Sequence, residues 1–223
     1  MPTKKATQEK FDFKKVFKDC YAPKPTPQLV SVPRFSFISV QGCGNPNEAD
    51  GAYQSALQCL YALSYTIKMS KKIKALKNYV EYVVPPLEGL WWGRENGESK
   101  EHFKWQAMIA QPDFVSQEIF EYATQEVAAK KGIDSTKASL IHFEEGLCVQ
   151  MLHIGSYDDE PQSLAKIKDF MMCNALQNDI GSVGSVQGDF TRLHHEIYLN
   201  NPNKTPPHKL KTILRIPVRK IQV

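Results

Sequence analysis

The chain has 223 residues, 42% hydrophobic and 23% charged, with a formal net charge of +4. That balance excludes a wholly disordered chain, and the length suffices for a sizeable core without disulfides. Five cysteines, at 20, 43, 59, 148 and 173, form no C-x-x-C pair and leave one over from any full pairing, which fits reduced thiols in a cytoplasmic protein.

The N-terminus is polar and charged, and no run approaches the roughly 18 apolar residues of a membrane span, so no membrane association is expected. Residues 1–28 read as an appendage and linker. Phe11, Phe13, Val16, Phe17 and Tyr21 form a short apolar stripe in it, and "YAPKPTPQ" is held extended by its prolines. The folded body is expected from Leu29 to Val223.

"LVSVPRFSFISVQGCGNP" alternates as a strand and ends in a glycine-rich turn. "NEADGAYQSALQCLYALSYTIKM" predicts an amphipathic helix with Ala52, Ala56, Leu60, Leu63 and Ile67 on one face and Asn47 or Asp50 as cap. The basic run "KMSKKIKALKN" contains no aromatic residue to stack on bases and reads as a solvated loop; no DNA-reading motif is present, so no direct nucleic-acid partner is expected. Strands follow in "NYVEYVVPPLEGLWWG" and "HFKWQAMIAQP", separated by the polar loop "RENGESKE".

"DFVSQEIFEYATQEVAAKKG", residues 113–132, predicts a connecting helix stopped by Gly132. The same order then recurs: strand "EGLCVQMLHIGSY", helix "EPQSLAKIKDFMMCNALQ", strands "TRLHHEIYLNN" and "KLKTILRIPV". The expected fold is therefore α+β, two β-α-β-β modules (29–112 and 140–223) with pseudo-twofold symmetry. Their antiparallel sheet would carry helices on one side and a ligand groove on the other.

Alternation in "TRLHHEIYLNN" puts Leu193, His195, Ile197 and Leu199 on one face and His194, Glu196 and Tyr198 on the other. The first, mainly apolar set is expected to pack on the helix, leaving Glu196 on the helix-free face. Aligning the two halves puts Glu88 of "PPLEGLWW" opposite Glu196, and two carboxylates near a pseudo-twofold axis can divide acid and base roles. Two adjacent tryptophans cannot share one face of a regular strand, so one of Trp91 and Trp92 faces the groove. Trp105, Tyr65, Phe103, Met151, His153, His194, Tyr157 and Tyr198 are the further candidates for the wall of a site suited to flat cationic or polarised ligands. No metal is expected, because His153, His194 and His195 match no common ligand spacing, and no cofactor, because "GSVGSVQGD" lacks the lysine and flanking elements of a phosphate loop. Cys148 sits inside an apolar strand, where cysteine is a packing residue.

The duplicated order, "HIGSYDDEP" entering a helix, "PPLEGLWW" with "FKWQAMIAQPDFV", and "HHEIYLNNPNKTPPHKLKTILRIPV" together resemble the GyrI-like small-molecule-binding family, in particular its stand-alone bacterial branch. The resemblance implies a central groove like that of the effector-binding domains of multidrug-sensing transcription activators. A glutamate on the penultimate strand would lie at the floor of an aromatic pocket, here Glu196, with Tyr157 matching the tyrosine after the glycine turn. Some stand-alone members hydrolyse the cyclopropane of cyclopropanoid DNA-alkylating compounds, with Glu196 or Glu88 as the matching base and Tyr157 as the donor. Two alternatives stand beside that activity: a non-catalytic sequestering or sensing module, and a protein-interaction domain, since the family's name-giving member inhibits DNA gyrase. Against the gyrase reading, this chain has no acidic patch that imitates DNA. Neither the ligand nor the oligomeric state is legible in the sequence.

Overall fold

The computed structural model describes residues 10–93, 103–181 and 192–221. The polar loop 94–101 and the part of the glycine run from 182 to 189 lie outside them. In chain order the elements are α1 (Phe13–Val16), α2 (Lys18–Tyr21), β1 (Gln28–Cys43), α3 (Ala52–Met69), α4 (Lys71–Lys74), β2 (Leu87–Trp92), β3 (Lys104–Gln111), α5 (Gln117–Lys131), β4 (Ala138–Ile154), α6 (Glu160–Cys173), β5 (Leu176–Asn178), β6 (His194–Tyr198) and β7 (Lys211–Lys220). The fold is α+β. Among the described residues no helix is long and apolar enough to cross a membrane.

All the strand pairings are antiparallel, and those of six strands close on themselves: β1 pairs with β3, β3 with β2, β2 with β6, β6 with β7, β7 with β4, and β4 with β1. Around the ring the order is β1-β3-β2-β6-β7-β4, and β5 extends β7 at the edge. Closure gives the sheet an inside and an outside. Outside, α3 and α5 cover Ile38, Val40, Leu87, Trp105, Ala107 and Ile109, while α6 covers Val149, Met151, Leu214 and Ile216. Leu60, Leu63 and Ile67 of α3 are fully buried, each contributing about 1.5–3 kcal/mol by removal from water.

The inside is filled by Val30, Val32, Phe37, Met108, Ile197 and Ile213 together with Phe13, Cys20 and Tyr21 of the N-terminal segment. Residues before Leu29 thus form part of the core, and Phe11 also bridges to Tyr82. Glu145 and Cys148 both reach the interior although three residues apart, because Gly146 between them takes φ +71°, a left-handed conformation that reverses the alternation of β4.

Several local expectations are corrected. Residues 78–86 form no named strand; Pro85 and Pro86 offer no N–H to a ladder, and β2 begins only at Leu87. The expected cap at Asn47 or Asp50 is replaced by Gly51 without a side-chain bond, and Tyr53 instead of the exposed Ala52 leads the buried stripe of α3. The basic loop contains a short helix, α4, capped by Ser70. The second helix ends at Cys173, after which Ala175 turns at φ 52° into β5. Gly132 does stop α5, at φ 62°.

Candidate functional site

β6 pairs with β2 in a register that sets Glu196 against Gly89, Tyr198 against Leu87 and His194 against Trp91. Paired residues share a face, so His194, Glu196 and Tyr198 lie with Trp91 on the outside of the ring, between the layer of α3 and that of α6. This exchanges the faces expected from the sequence. His195 and Ile197 face the interior, and Glu196 is on the helix-bearing side. An open sheet would bury its apolar set against a helix; a closed one offers a second, interior place to bury it.

The Glu196 carboxylate is held at both oxygens. Oε2 accepts from the Tyr198 hydroxyl at 2.7 Å, and Oε1 lies 3.0 Å from His194 Nε2. The Tyr198 oxygen in turn accepts from Trp91 Nε1 at 3.0 Å, so a donor chain runs from the indole to the acid. Tyr53, at the start of α3, stacks obliquely on Trp91 with centroids 5.4 Å apart, and Phe103 meets that indole in a T-shaped contact at 5.7 Å. Tyr157, in the turn before α6, meets Tyr198 edge-on at 6.0 Å and is 39% exposed, which brings the cluster to the surface. The Glu196 side chain itself is 15% exposed.

Glycine makes room for this arrangement. A Cβ on Gly89 would lie 2.8 Å from Trp91 Nε1 and 3.4 Å from the Tyr198 hydroxyl. Gly89→Ala is therefore expected to push the indole off Tyr198 and to cost about 1–3 kcal/mol by overpacking. Urea unfolding gives the cost, and the near-ultraviolet circular dichroism of Trp91 reports the displacement. An unchanged spectrum with unchanged stability would contradict it.

Acidity dominates the site's electrostatics. Burial, then the Glu160 and Glu196 charges, pushes the Tyr157 phenol up to about 12. Burial and Glu196 likewise push Tyr198 and Tyr53 upward, so all three phenols are donors at neutral pH. Glu160, the first residue of α6, is 8% exposed and pushed up to about 9, by burial first and then by the charges of Glu196 and Asp158. Tyr53 and Glu160 were not singled out from the sequence. Tyr53 carried a signal, standing at i−3 to Ala56 on the apolar stripe; Glu160 carried none, because an acid in a first helical turn is ordinary.

The other sequence candidates lie elsewhere. Glu88 is fully buried on the opposite face of β2, paired with Ile197 in register, accepts from the Tyr21 hydroxyl at 2.8 Å and lies within ion-pair distance of His195, at 3.0 Å. It does not meet Glu196, because the register offsets the two acids by one residue and so puts them on opposite faces. Trp92 faces the interior side, Trp105 is core beneath Tyr53, and Met151 packs under α6. Tyr65 stacks on Tyr61 on the exposed side of α3, 6.4 Å between centroids. His153 is bonded to the Ser163 hydroxyl and the Ser156 carbonyl, each at 2.9 Å, and so shapes the turn that carries Tyr157. Two surface concavities also lie away from Glu196, one bounded by Leu29, Phe170, Leu176 and Ile221, the other by Gln41, Cys43, Trp92 and Lys104. Neither has acidic chemistry, and the site is placed by its side chains instead. Among the described residues no group of three or more His, Cys, Asp or Glu side chains is placed so that it could hold a metal ion.

A family model described as a GyrI-like small molecule binding domain matches residues 25–181. The chain belongs to the GyrI-like family. Among solved structures, a hydrolase from Listeria innocua is 43% identical to this GyrI-like chain, with a TM-score of 0.83 over 94% of this chain and 100% of that one. An uncharacterized conserved protein from the same organism is also 43% identical, with a TM-score of 0.84 over 94% and 100%. The C-terminal domain of EcmrR, at 12% identity and a TM-score of 0.51 over 88% and 98%, shares the GyrI-like fold. No curated protein matches the chain.

Proposed function

We propose that the protein binds planar aromatic, cationic or electrophilic small molecules against Glu196 and hydrolyses the cyclopropane of cyclopropanoid alkylating compounds. The carrying observation is a carboxylate fixed at both oxygens within a wall of Trp91, Tyr53, Tyr157 and Tyr198. Aromatic faces and a carboxylate suit a flat, positively polarised ligand. The hydrolytic step is supported by the 43% identity to a protein described as a hydrolase.

In that reaction a water oxygen bonds to a ring carbon of the cyclopropane and passes a proton to Glu196. The ring C–C bond breaks and its electron pair moves into the conjugated carbonyl. Tyr157, protonated throughout the neutral range, hydrogen-bonds to that carbonyl oxygen as charge builds on it. The test is a set of planar cationic dyes and one cyclopropanoid alkylator. Quenching of tryptophan emission and conversion of the alkylator to its ring-opened alcohol are expected. Neither quenching nor conversion would sink this reading.

A further inference from the structure

Glu160 opens α6 three residues after Tyr157, whose ring meets Tyr198 at 6.0 Å, and Tyr198 donates to Glu196 on β6, so the two acids approach one cluster from different elements. Glu160 Oε1 is buried with no hydrogen-bond partner among the described residues, an arrangement that a purely structural acid avoids. The charged groups that act on it are Glu196 from β6 and Asp158 from its own turn, both acidic. Asp159 beside it accepts from the Ser156 hydroxyl. Among the described residues the other titratable groups here are the phenols of Tyr157, Tyr198 and Tyr53 and two imidazoles already engaged, His194 with Glu196 and His153 with Ser163 and Ser156. Two carboxyl groups set together in a part-buried cluster, with no cation acting on Glu160 among the described residues, do not both ionise freely.

We propose that Glu160 is the proton donor of this site, sharing a single proton with Glu196, which is the base. This rests on the hydrolytic reading above. At the start Glu160 is a neutral acid and Glu196 an anion. Water's oxygen bonds to the ring carbon, one water proton goes to Glu196, and the other stays on the new alcohol. The pair released from the C–C bond reaches the carbonyl, whose oxygen takes the Glu160 proton. The proton on Glu196 then passes to Glu160, and substrate plus water has become product with the pair unchanged. A carboxylic acid kept neutral by its surroundings is a stronger proton donor to a developing oxyanion than a phenol, which leaves Tyr157 to orient the carbonyl.

The test is Glu160→Gln, which keeps a hydrogen-bond donor but has no proton to give. Its kcat is expected to fall about 100-fold or more with little change in KM. The wild type is expected to show an alkaline decline of kcat/KM centred near 9 that vanishes in the variant; a merely structural role would not move that profile. A second measurement needs no turnover. Unfolded Glu160 loses its proton near 4.5 while the folded one keeps it to about 9, so wild-type stability declines with rising pH relative to Glu160→Gln. The melting temperature of the variant should therefore gain on that of the wild type across about pH 5 to 9. Wild-type turnover and pH profile retained in Glu160→Gln would overturn the donor role. A melting difference that stays constant with pH would overturn the shared proton, whereas absence of any wild-type turnover would instead overturn the hydrolytic reading.

Discussion

Glu196→Gln is expected to lower turnover of a cyclopropanoid substrate by about 10²–10⁴-fold, the range of a lost general base, while a neutral flat ligand keeps its affinity within about threefold. The amide preserves the shape of the carboxylate and still accepts from Tyr198, so the aromatic wall stays in register. It cannot take a proton from water. It also lacks the charge, so a planar cationic dye should bind about tenfold or more weakly, a loss of roughly 1.4 kcal/mol per decade. Steady-state kinetics and dye titration separate the two effects. Undiminished turnover would remove Glu196 from the chemistry, and a drop in dye binding without any wild-type turnover would leave a binding module that sequesters its ligand.

Arg215→Ala is expected to destabilise the fold by about 3–5 kcal/mol, a large share of the 5–15 kcal/mol by which domains are stable. Arg215 lies in the ring interior, 1% exposed, and donates to Glu145 (2.8 Å), Gln150 (2.9 Å) and the Cys20 carbonyl (2.7 Å). His195 sits between Glu145 and Glu88, 3.0 Å from each, and Tyr21 donates to Glu88. Two acids and two bases thus balance inside the ring, and Tyr21 and Cys20 tie the N-terminal segment to them. Removing the guanidinium strands the Glu145 carboxylate in the core. Urea unfolding should show the loss, with Glu145→Gln/Arg215→Ala costing less than the sum of Glu145→Gln and Arg215→Ala because neither charge is then left alone. Single and double changes that add would mean the pair is not coupled.

The same network has a pH signature. Glu145, and Glu88 after it, holds His195 up to about 8 against an ordinary value of 6.5, outweighing the burial that opposes its charge. A raised histidine stabilises fully below its unfolded value, so this contribution is intact below about pH 6.5 and lost as pH rises through about 8. His195 and Arg215 hold Glu145 down to about 2, and its contribution is present above about 4.5 and lost as pH falls through about 2. His195→Gln should weaken the alkaline limb of a stability profile, and because His195 also helps to hold Glu145 down it should shrink the acid limb to the share that Arg215 supplies.

Much of this was legible in the residues. The period of two in "HHEIY" assigned His194, Glu196 and Tyr198 to one face, because successive strand side chains must alternate. The adjacency of Trp91 and Trp92 sent one ring to each side of β2, and Trp91 is the one beside Glu196. Glu145 and Arg215 stood out less: an ionisable residue inside an apolar strand is visible as a pattern, as in "ILRIPV", but its partner lies 70 residues away. Glu160 had no pattern at all, since its meaning comes only from what α6 is packed against.

What the sequence determined by itself was local: element order, which side chains share a strand face, the stop at Gly132, and an acid among aromatics. Pairing register and closure were decided by tertiary structure. Glu88 stands opposite Ile197 and not opposite Glu196, so one acid turns into the ring and the other out of it. Because the ring closes around the N-terminal segment, the apolar face of β6 is buried inside and not beneath a helix. Glu196 is thereby placed in the seam between α3 and α6, bonded to Tyr198, which Trp91 and Tyr157 flank. Alternation is a property of one strand; which side of it becomes a site depends on what the other strands enclose.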